Sequence, residues 1–270
     1  MKNLSFKNIE IYYKTYGTPE NPAVILLHGY LESMEIWKDI ATSMQSAFYI
    51  ITPDIPGHGL SGVYGDTHHM DELADGIRAL LDDLKIRKCH LVGHSMGGYI
   101  TLAFRENFPQ RLLSFTLFHS HCFADPEAKK LTREKEIELI RAGKKELIVN
   151  VNIPRLFSDI YLGKHSAEIA QAKSIAVKTP DEGIIAILNG MKSRPDRCHL
   201  LIQGGIPGLL IAGLHDNLIP RSVIENMMTG SHDITLAELQ NSGHMGFVEE
   251  KEASIKILRD FLKTTASQLP

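Results

Sequence analysis

The chain has 270 residues, of which 43% are hydrophobic and 23% charged, and its formal net charge is −3 at pH 7. These values are typical of a soluble globular protein, and the length fits one large domain or a domain with an insertion. Acidic and basic residues are interspersed, so no basic face indicates a nucleic-acid partner. No apolar run approaches the roughly 20 residues that a membrane span needs, and the N-terminus lacks a signal-peptide pattern.

The chain contains three cysteines, which are widely spaced and form no CxxC pair: Cys89, Cys122 and Cys198. Since their number is odd and their spacing is wide, we expect neither a disulfide framework nor a zinc site. A reducing cytoplasm is then the expected compartment.

Short apolar runs alternate with helical patterns along the chain. The runs that predict strands are Ala23–Gly29, Phe48–Asp54, Cys89–Ser95, Leu112–Ser120, Gly208–Asp216 and Asp233–Leu239. Several are apolar at consecutive positions, as expected for parallel strands that are buried on both faces. Residues 4–17 predict an antiparallel hairpin at the N-terminal edge of the sheet.

Helical patterns lie between these runs, at Met34–Ser46, Met70–Leu84, Met96–Asn107, Ser222–Met228 and Phe247–Leu262. Alternation of strands and helices predicts an α/β fold with a mostly parallel, doubly wound sheet.

One interval breaks this alternation. Residues 121–197 contain no clear strand pattern, and they are too many for a plain connection. Helical patterns occur at Pro126–Gly143, Ser166–Val177 and Asp181–Lys192. We interpret residues 121–197 as a helical cap inserted before the last two strands, with residues 1–120 and 198–270 forming the core.

The stretch Gly93-His94-Ser95-Met96-Gly97 joins a predicted strand to a predicted helix almost without a loop, and Gly98 follows it. Such a sharp turn crowds the residues two before and two after the serine, so that only small side chains fit. The turn would place the Ser95 hydroxyl at the edge of the sheet, beside the N-terminus of a helix. This pattern predicts a nucleophilic serine.

A serine hydroxyl needs a base that removes its proton and an acid that orients the base. Asp216 ends a buried strand, and His244 lies in a glycine-flanked loop between the last strand and the last helix. Each residue alone could be a solvated aspartate or a turn histidine. The chain order Ser95, Asp216, His244 favours a catalytic triad.

Two backbone N–H groups are expected to stabilise a developing oxyanion. One belongs to Met96, which follows the serine, and the other to Tyr30, in the loop after the first buried strand. Four histidines near these motifs are candidates for lining the pocket, although packing or surface roles are the alternatives: His28, His94, His119 and His121.

Five segments together resemble the α/β-hydrolase superfamily in its own motif order: LLHGYLES, DIPGHGLS, LVGHSMGG, GLHDNLIP and NSGHMGFVEE. The resemblance spans nearly the whole chain and is closest to esterases and lipases. It implies the triad and oxyanion roles named above, a cap over the active site, and a structural rather than catalytic role for Asp54.

The expected activity is hydrolysis of a small to medium carboxylic ester through an acyl-enzyme, without a cofactor or a metal. The same triad could instead cleave a carbon–carbon, thioester, lactone or amide bond. A ligand receptor or an inert scaffold is the alternative from another class. The helical stretches of the cap offer apolar residues, which include Leu131, Ile137, Ile140, Leu147, Ile148, Ile184, Ile185, Ile187 and Leu188. Most of them are expected to pack the cap's own small core, but some apolar surface should face the pocket and favour apolar substrate groups.

Overall fold

A computed structural model describes residues 1–163 and 166–266. Within these residues one sheet of eight strands has the order β1-β2-β4-β3-β5-β6-β7-β8. The strands are β1 (Lys2–Phe6), β2 (Ile9–Tyr16), β3 (Ala23–Leu27), β4 (Tyr49–Pro53), β5 (Cys89–His94), β6 (Leu112–Phe118), β7 (Gly208–Gly213) and β8 (Ile234–Leu239). Every residue of β3, β4 and β5 is buried, which explains their continuous apolar sequences.

The strand pairing confirms the predicted mostly parallel α/β sheet. β1 pairs antiparallel with β2, and β2 pairs antiparallel with β4, which confirms the hairpin at the N-terminal edge. The other neighbouring strands are parallel. Because parallel strands end at the same edge, the residues that follow β3, β5, β6 and β7 meet there.

The helices are α1 (Lys38–Met44), α2 (Met70–Asp83), α3 (Met96–Asn107), α4 (Glu127–Arg141), α5 (Lys145–Asn152), α6 (Asp159–Leu162), α7 (Ser166–Val177), α8 (Asp181–Ser193), α9 (His199–Gln203), α10 (Arg221–Met228), α11 (Gly246–Glu249) and α12 (Lys251–Ala266). Short 3₁₀ turns occupy Met34–Trp37, Pro109–Arg111 and Pro154–Leu156. In the described ranges, no helix combines the length and the apolar sequence that crossing a membrane requires.

Two predicted helices differ from the structure. The first predicted helix begins as a 3₁₀ turn, and α1 ends at Met44. The last one is broken at Glu250, whose φ of −130° and ψ of 59° lie outside the helical range. Its carboxylate accepts hydrogen bonds from the Asn241 N–H and the Ser242 hydroxyl, and these bonds to the preceding loop hold the break.

The insertion between β6 and β7 is helical, as predicted, although α5, α6 and α9 were not recognised in the sequence. Leu131, one of the apolar cap residues named above, is 51% exposed. The buried side of α4 carries Arg133, Ile137 and Ile140, at helical spacing. Arg133 is buried on this side beside the two isoleucines, and its charge is paired with that of Asp125. The predicted cap and core also include residues 164–165 and 267–270, which lie outside the described residues.

Cys122 and Cys198 form a disulfide, with their Cα atoms 4.8 Å apart and a sequence separation of 76. The expectation of no disulfide is therefore wrong. Wide spacing in sequence was a misleading signal, since the two ends of an insertion return to the same edge of the sheet. Cysteine usage consequently gives no support for a reducing compartment.

We expect the disulfide to stabilise the folded protein, because it closes a long loop that the unfolded chain would otherwise sample freely. Reduction with dithiothreitol, or a Cys122→Ser/Cys198→Ser double substitution, should lower the free energy of unfolding by about 4 kcal/mol. Urea unfolding followed by circular dichroism measures the difference.

The double variant also serves as the control, because it has no disulfide to reduce. Dithiothreitol should leave its unfolding curve unchanged while shifting that of the parent protein. Equal shifts in both proteins, or no shift in either, would contradict a stabilising role of this disulfide.

Candidate active site

Ser95 lies between the end of β5 and the first residue of α3, with φ 48° and ψ −115°. This backbone conformation is strained for a residue with a side chain, and such strain is concentrated at functional sites. The Ser95 N–H donates to the Phe118 carbonyl at 3.0 Å, which ties the turn to the neighbouring strand β6. Met96 begins the helix, so its N–H has no intrahelical acceptor.

Glycines around Ser95 make the turn possible. A Cβ on Gly93 would lie 2.2 Å from the Gly97 carbonyl oxygen, and a Cβ on Gly97 would lie 2.5 Å from the Leu27 oxygen. A Cβ on Gly98 would lie 2.2 Å from the Ser120 Oγ, and the Ser120 hydroxyl donates to the Ser95 carbonyl at 2.7 Å. Steric crowding therefore accounts for all three glycines.

Asp216 and His244 are brought together, with the His244 Nδ1 and the Asp216 Oδ2 2.7 Å apart. The other oxygen of Asp216 accepts from the N–H groups of Leu218 (2.8 Å) and Ile219 (3.0 Å). Burial alone would raise the pKa of Asp216, but the His244 charge and hydrogen bonds lower it. An ionised Asp216 fixes the Nδ1–H tautomer of His244, which leaves Nε2 free to accept a proton.

His244 Nε2 is buried and has no hydrogen-bond partner among the described residues. It lines the same cavity as Ser95. No hydrogen bond joins it to the Ser95 hydroxyl within these residues, a looseness that is common in catalytic pairs without substrate.

His119 supports Asp216 instead of lining the cavity, which corrects the predicted placement. Its Nε2 accepts from the Gly246 N–H at 3.1 Å, so its Nδ1 carries a hydrogen and lies 3.5 Å from the Asp216 Oδ2. Burial lowers the pKa of His119 to about 4, which keeps it neutral. His119, Asp216 and His244 offer ligand atoms within 4.8 Å of one another. The His244–Asp216 hydrogen bond uses the facing atoms of that pair, whereas the His119 Nδ1 has no hydrogen-bond partner among the described residues.

A buried ion pair and a hydrogen bond join the end of β5 to two loops of the site. The His94 Nδ1 lies 2.9 Å from the Glu32 Oε2, and the His94 Nε2 lies 2.9 Å from the His244 carbonyl oxygen. Both partners are acceptors, so both ring nitrogens must carry hydrogens and His94 is an imidazolium. Glu32 also accepts from the Gly29 N–H at 2.5 Å. This clamp, Glu32 and His94, therefore holds the predicted oxyanion loop against the His244 loop.

His28 is buried beneath the oxyanion loop and does not line the cavity, which corrects its predicted placement. Its Nδ1–H donates to the Gly29 carbonyl at 2.8 Å, and its Nε2 accepts from the Ile55 N–H at 2.9 Å. The Tyr30 N–H, by contrast, has no acceptor within the described residues. Asp54 accepts from backbone N–H groups at turns, including Leu60 at 2.9 Å, as its expected structural role requires.

A cavity of about 320 Å³ lies above Ser95. The core contributes Tyr30, Glu32, His94, Ser95, Tyr99, Leu218, Ile219 and His244 to its lining, and the insertion contributes His121, Asp125, Pro126, Lys129, Thr132, Arg133, Glu136, Asn152, Arg155, Leu156 and Met191. His94 and His121 thus lie where the sequence placed them. None of the nine apolar cap residues named for substrate preference lines this cavity.

The insertion is bonded to the His244 loop, a contact that the sequence did not reveal. The His244 N–H donates to the Leu156 carbonyl at 2.7 Å. The Glu249 carboxylate accepts from the Gly243 N–H at 2.9 Å and from the Ser158 hydroxyl at 2.7 Å. Glu249 follows His244 in NSGHMGFVEE, and its position just after the histidine loop was the available signal.

We expect Glu32→Gln to lower the free energy of unfolding by roughly 3–5 kcal/mol near pH 7, because it leaves a buried histidine charge unpaired. Burial alone would lower the pKa of His94, but the Glu32 charge and hydrogen bond raise it. Burial alone would raise the pKa of Glu32, but the His94 charge and hydrogen bonds lower it.

The sign of both shifts defines a pH window. The raised pKa of His94 stabilises the fold at low pH, and this contribution is lost as pH rises through the folded-state value. The lowered pKa of Glu32 stabilises the fold at high pH, and this contribution is lost as pH falls through its folded-state value. The difference in free energy of unfolding between the parent and Glu32→Gln should therefore be largest between the folded-state pKa values of Glu32 and His94. Urea unfolding measured from about pH 4 to about pH 9 tests this. Glu20→Gln, at an exposed position, is the control. If the difference in free energy of unfolding between the parent and Glu32→Gln did not change with pH, Glu32 and His94 would not be a charged pair.

Comparison with known proteins supports this fold. Residues 22–138 match a family model described as the alpha/beta hydrolase fold. The dihydrolipoyllysine-residue acetyltransferase component of an acetoin cleaving system, from Pseudomonas putida, is 28% identical over 251 residues, which are 92% of this chain. The match spans 64% of that protein, less than two thirds of its length. A pimeloyl-[acyl-carrier protein] methyl ester esterase from Vibrio parahaemolyticus is 26% identical over 93% of this chain and 97% of its own.

Among solved structures, a thermophilic esterase from Thermogutta terrifontis, with malate bound, superimposes with a TM-score of 0.91. It is 28% identical, and the match covers 95% of this chain and 94% of the esterase. The matching sheet, the strained serine turn and these similarities agree: the chain has an α/β-hydrolase fold and is similar to enzymes of that fold.

Proposed function

We propose that the protein is a serine hydrolase that cleaves a small to medium carboxylic ester through an acyl-enzyme. Ser95 Oγ attacks the ester carbonyl carbon while His244 Nε2 takes its proton, and the alcohol leaves with that proton. Water then gives a proton to Nε2 and attacks the acyl-enzyme, which releases the acid and restores Ser95. The N–H groups of Tyr30 and Met96 stabilise the oxyanion in both steps.

One observation carries this proposal. The His244 Nδ1 is bonded to an ionised Asp216, while its Nε2 is unpartnered in the cavity that also holds Ser95. This is the protonation state that a general base for a serine requires. The free N–H groups of Tyr30 and Met96, on the two loops beside Ser95, support an oxyanion site.

An ester is the substrate best supported by the relatives. The Vibrio protein is a methyl ester esterase, and the Thermogutta protein is an esterase. Carbon–carbon, thioester, lactone and amide bonds are the alternatives for the same triad. A receptor or an inert scaffold is disfavoured, since the relatives named above are enzymes and the His244 Nε2 is buried in the cavity without a hydrogen-bond partner among the described residues.

The remaining sequence-based predictions have unequal support. We propose that residues 121–197 act as a cap, since this segment supplies one wall of the cavity above Ser95. The cytoplasmic location stays a prediction, and the Cys122–Cys198 disulfide is the observation against it.

Ser95→Ala should abolish ester hydrolysis, with a loss of roughly 10⁴–10⁶ in kcat, because the triad acts as a unit. A fluorophosphonate probe should label the parent protein at Ser95, as peptide mass spectrometry of the labelled protein will show. Ser43→Ala changes an exposed serine and is the matched control. Unchanged turnover of p-nitrophenyl butyrate in the Ser95 variant would remove Ser95 from the mechanism.

Asp216→Asn should leave the fold intact but reduce kcat by about 10⁴-fold, since an amide can favour the wrong tautomer of His244. Circular dichroism checks the fold, and the rate of p-nitrophenyl butyrate hydrolysis measures the turnover. Asp233→Asn is the matched control, because the Asp233 carboxylate accepts from the Gly205 N–H at 2.8 Å, next to the opposite end of β7. If Asp216→Asn retains near-normal turnover, another carboxylate orients the base.

A further inference from the structure

The wall that the insertion contributes to the cavity is rich in positive charge. Among the described residues, three cations of the insertion line it: Lys129, Arg133 and Arg155. Asp125 and Glu136 are the carboxylates of the insertion in the same lining. Whether the wall attracts an anion depends on how many of these charges are already paired.

Both carboxylates already have partners. Asp125 forms an ion pair with Arg133 and a second one with Arg194, at 2.8 Å. One negative charge is thus shared between two guanidinium groups. Glu136 accepts a hydrogen bond from the Asn152 amide at 2.5 Å. Neither carboxylate forms an ion pair with the remaining cations of the wall.

Lys129 and Arg155 have no ion-pair partner within the described residues. Partial desolvation and the positive charge of Arg133 lower the pKa of Lys129, whereas the carboxylates of Glu136 and Asp125 raise it. The Lys129 and Arg155 side chains line one cavity and have no carboxylate partner of their own among the described residues, so an anion bound in that cavity would supply one.

The Tyr30 hydroxyl is a further unused donor. It is buried in the cavity and has no hydrogen-bond partner among the described residues. Burial raises the pKa of Tyr30 well above its usual value, so the hydroxyl keeps its hydrogen. A buried donor without an acceptor is unfavourable unless a ligand supplies one.

We propose that Lys129 and Arg155 bind a carboxylate of the substrate, so that the substrate is an ester carrying a second, free carboxylate group. This rests on the proposed ester hydrolysis at Ser95 and deepens it. A carboxylate suits this site because it accepts charge-assisted hydrogen bonds from both side chains. The cavity volume of about 320 Å³ is at the small end of ligand pockets and suits a compact substrate.

Matched esters test the proposal. Mono-p-nitrophenyl adipate is compared with p-nitrophenyl methyl adipate, which lacks the acyl-side charge. The butyrate ester of 4-hydroxybenzoate is compared with that of methyl 4-hydroxybenzoate, which lacks the alcohol-side charge. In at least one pair, kcat/KM should be about tenfold or more higher for the charged ester than for the neutral ester. A salt concentration of about 0.5 M KCl should reduce this preference, because salt screens the attraction between charges.

The variants Lys129→Gln and Arg155→Gln should lose most of the preference by lowering kcat/KM for the charged ester only. Lys130→Gln is the matched control, because it removes one charge from the same helix outside the cavity lining. Retention of the preference in both cavity variants would overturn the proposal, as would equal kcat/KM values for the charged and neutral esters in the parent.

Failure of the proposed function gives a different result. If no ester is hydrolysed and the fluorophosphonate does not label Ser95, ester hydrolysis itself is wrong. Isothermal titration calorimetry with adipate and with neutral adipamide then tests whether the cavity binds an anion. Binding of adipate alone, weakened by Arg155→Gln, supports the site, and absence of adipate binding to the parent overturns it.

Discussion

The steric crowding around Ser95 is the constraint on which the rest of the site depends. β5 passes into α3 without a loop, and the turn closes only because Gly93, Gly97 and Gly98 have no side chains to collide with neighbouring atoms. The strain at Ser95 is held by a hydrogen bond from its N–H to β6 and by another from the Ser120 hydroxyl to its carbonyl. The sheet therefore fixes where the serine hydroxyl lies, and the other groups must be brought to it.

Buried charge brings the other loops to that point. The His94 imidazolium contacts Glu32 on one side and the His244 carbonyl on the other. A single side chain beside Ser95 thus aligns the loop that contains Glu32 with the loop that contains His244. Removing either charged partner would leave a buried charge without compensation, which is far more costly than losing a surface ion pair. The insertion joins this assembly through the Leu156 carbonyl and the Ser158 hydroxyl. A cap movement that separates these groups would also release the loop that positions His244.

The sequence was a good guide wherever a local rule determines the structure. Continuous apolar runs predicted the buried strands, and the glycines around Ser95 predicted a sterically crowded turn. Asp216 and His244 were found by chain order, and the structure places them 2.7 Å apart. Contacts between distant segments could not be read in this way. The Cys122–Cys198 disulfide depends on where the insertion returns to the sheet.

The buried polar residues were also hidden from sequence reasoning. The burial of Arg133 depends on its pairing with Asp125, so an apolar pattern could not predict it. His119 was expected in the pocket because it ends a strand at the correct edge. Its side chain instead turns towards Asp216 and Gly246, and its φ of 46° contributes to that direction. Strand ends predict which residues are near the site, whereas side-chain direction depends on the neighbouring loops.

The positive charges of the cavity wall and the oxyanion donors would act at different stages of the proposed reaction. A carboxylate held by Lys129 and Arg155 belongs to a part of the substrate that does not react, so it interacts equally in the ground state and in the transition state. Such uniform binding lowers KM and leaves kcat unchanged. In the proposed mechanism the oxyanion donors act differently, since negative charge would develop beside the Tyr30 and Met96 N–H groups only as an ester carbonyl is attacked. Under these two proposals, selectivity for the substrate is assigned to residues of the insertion, and acceleration of the reaction to residues at the edge of the sheet.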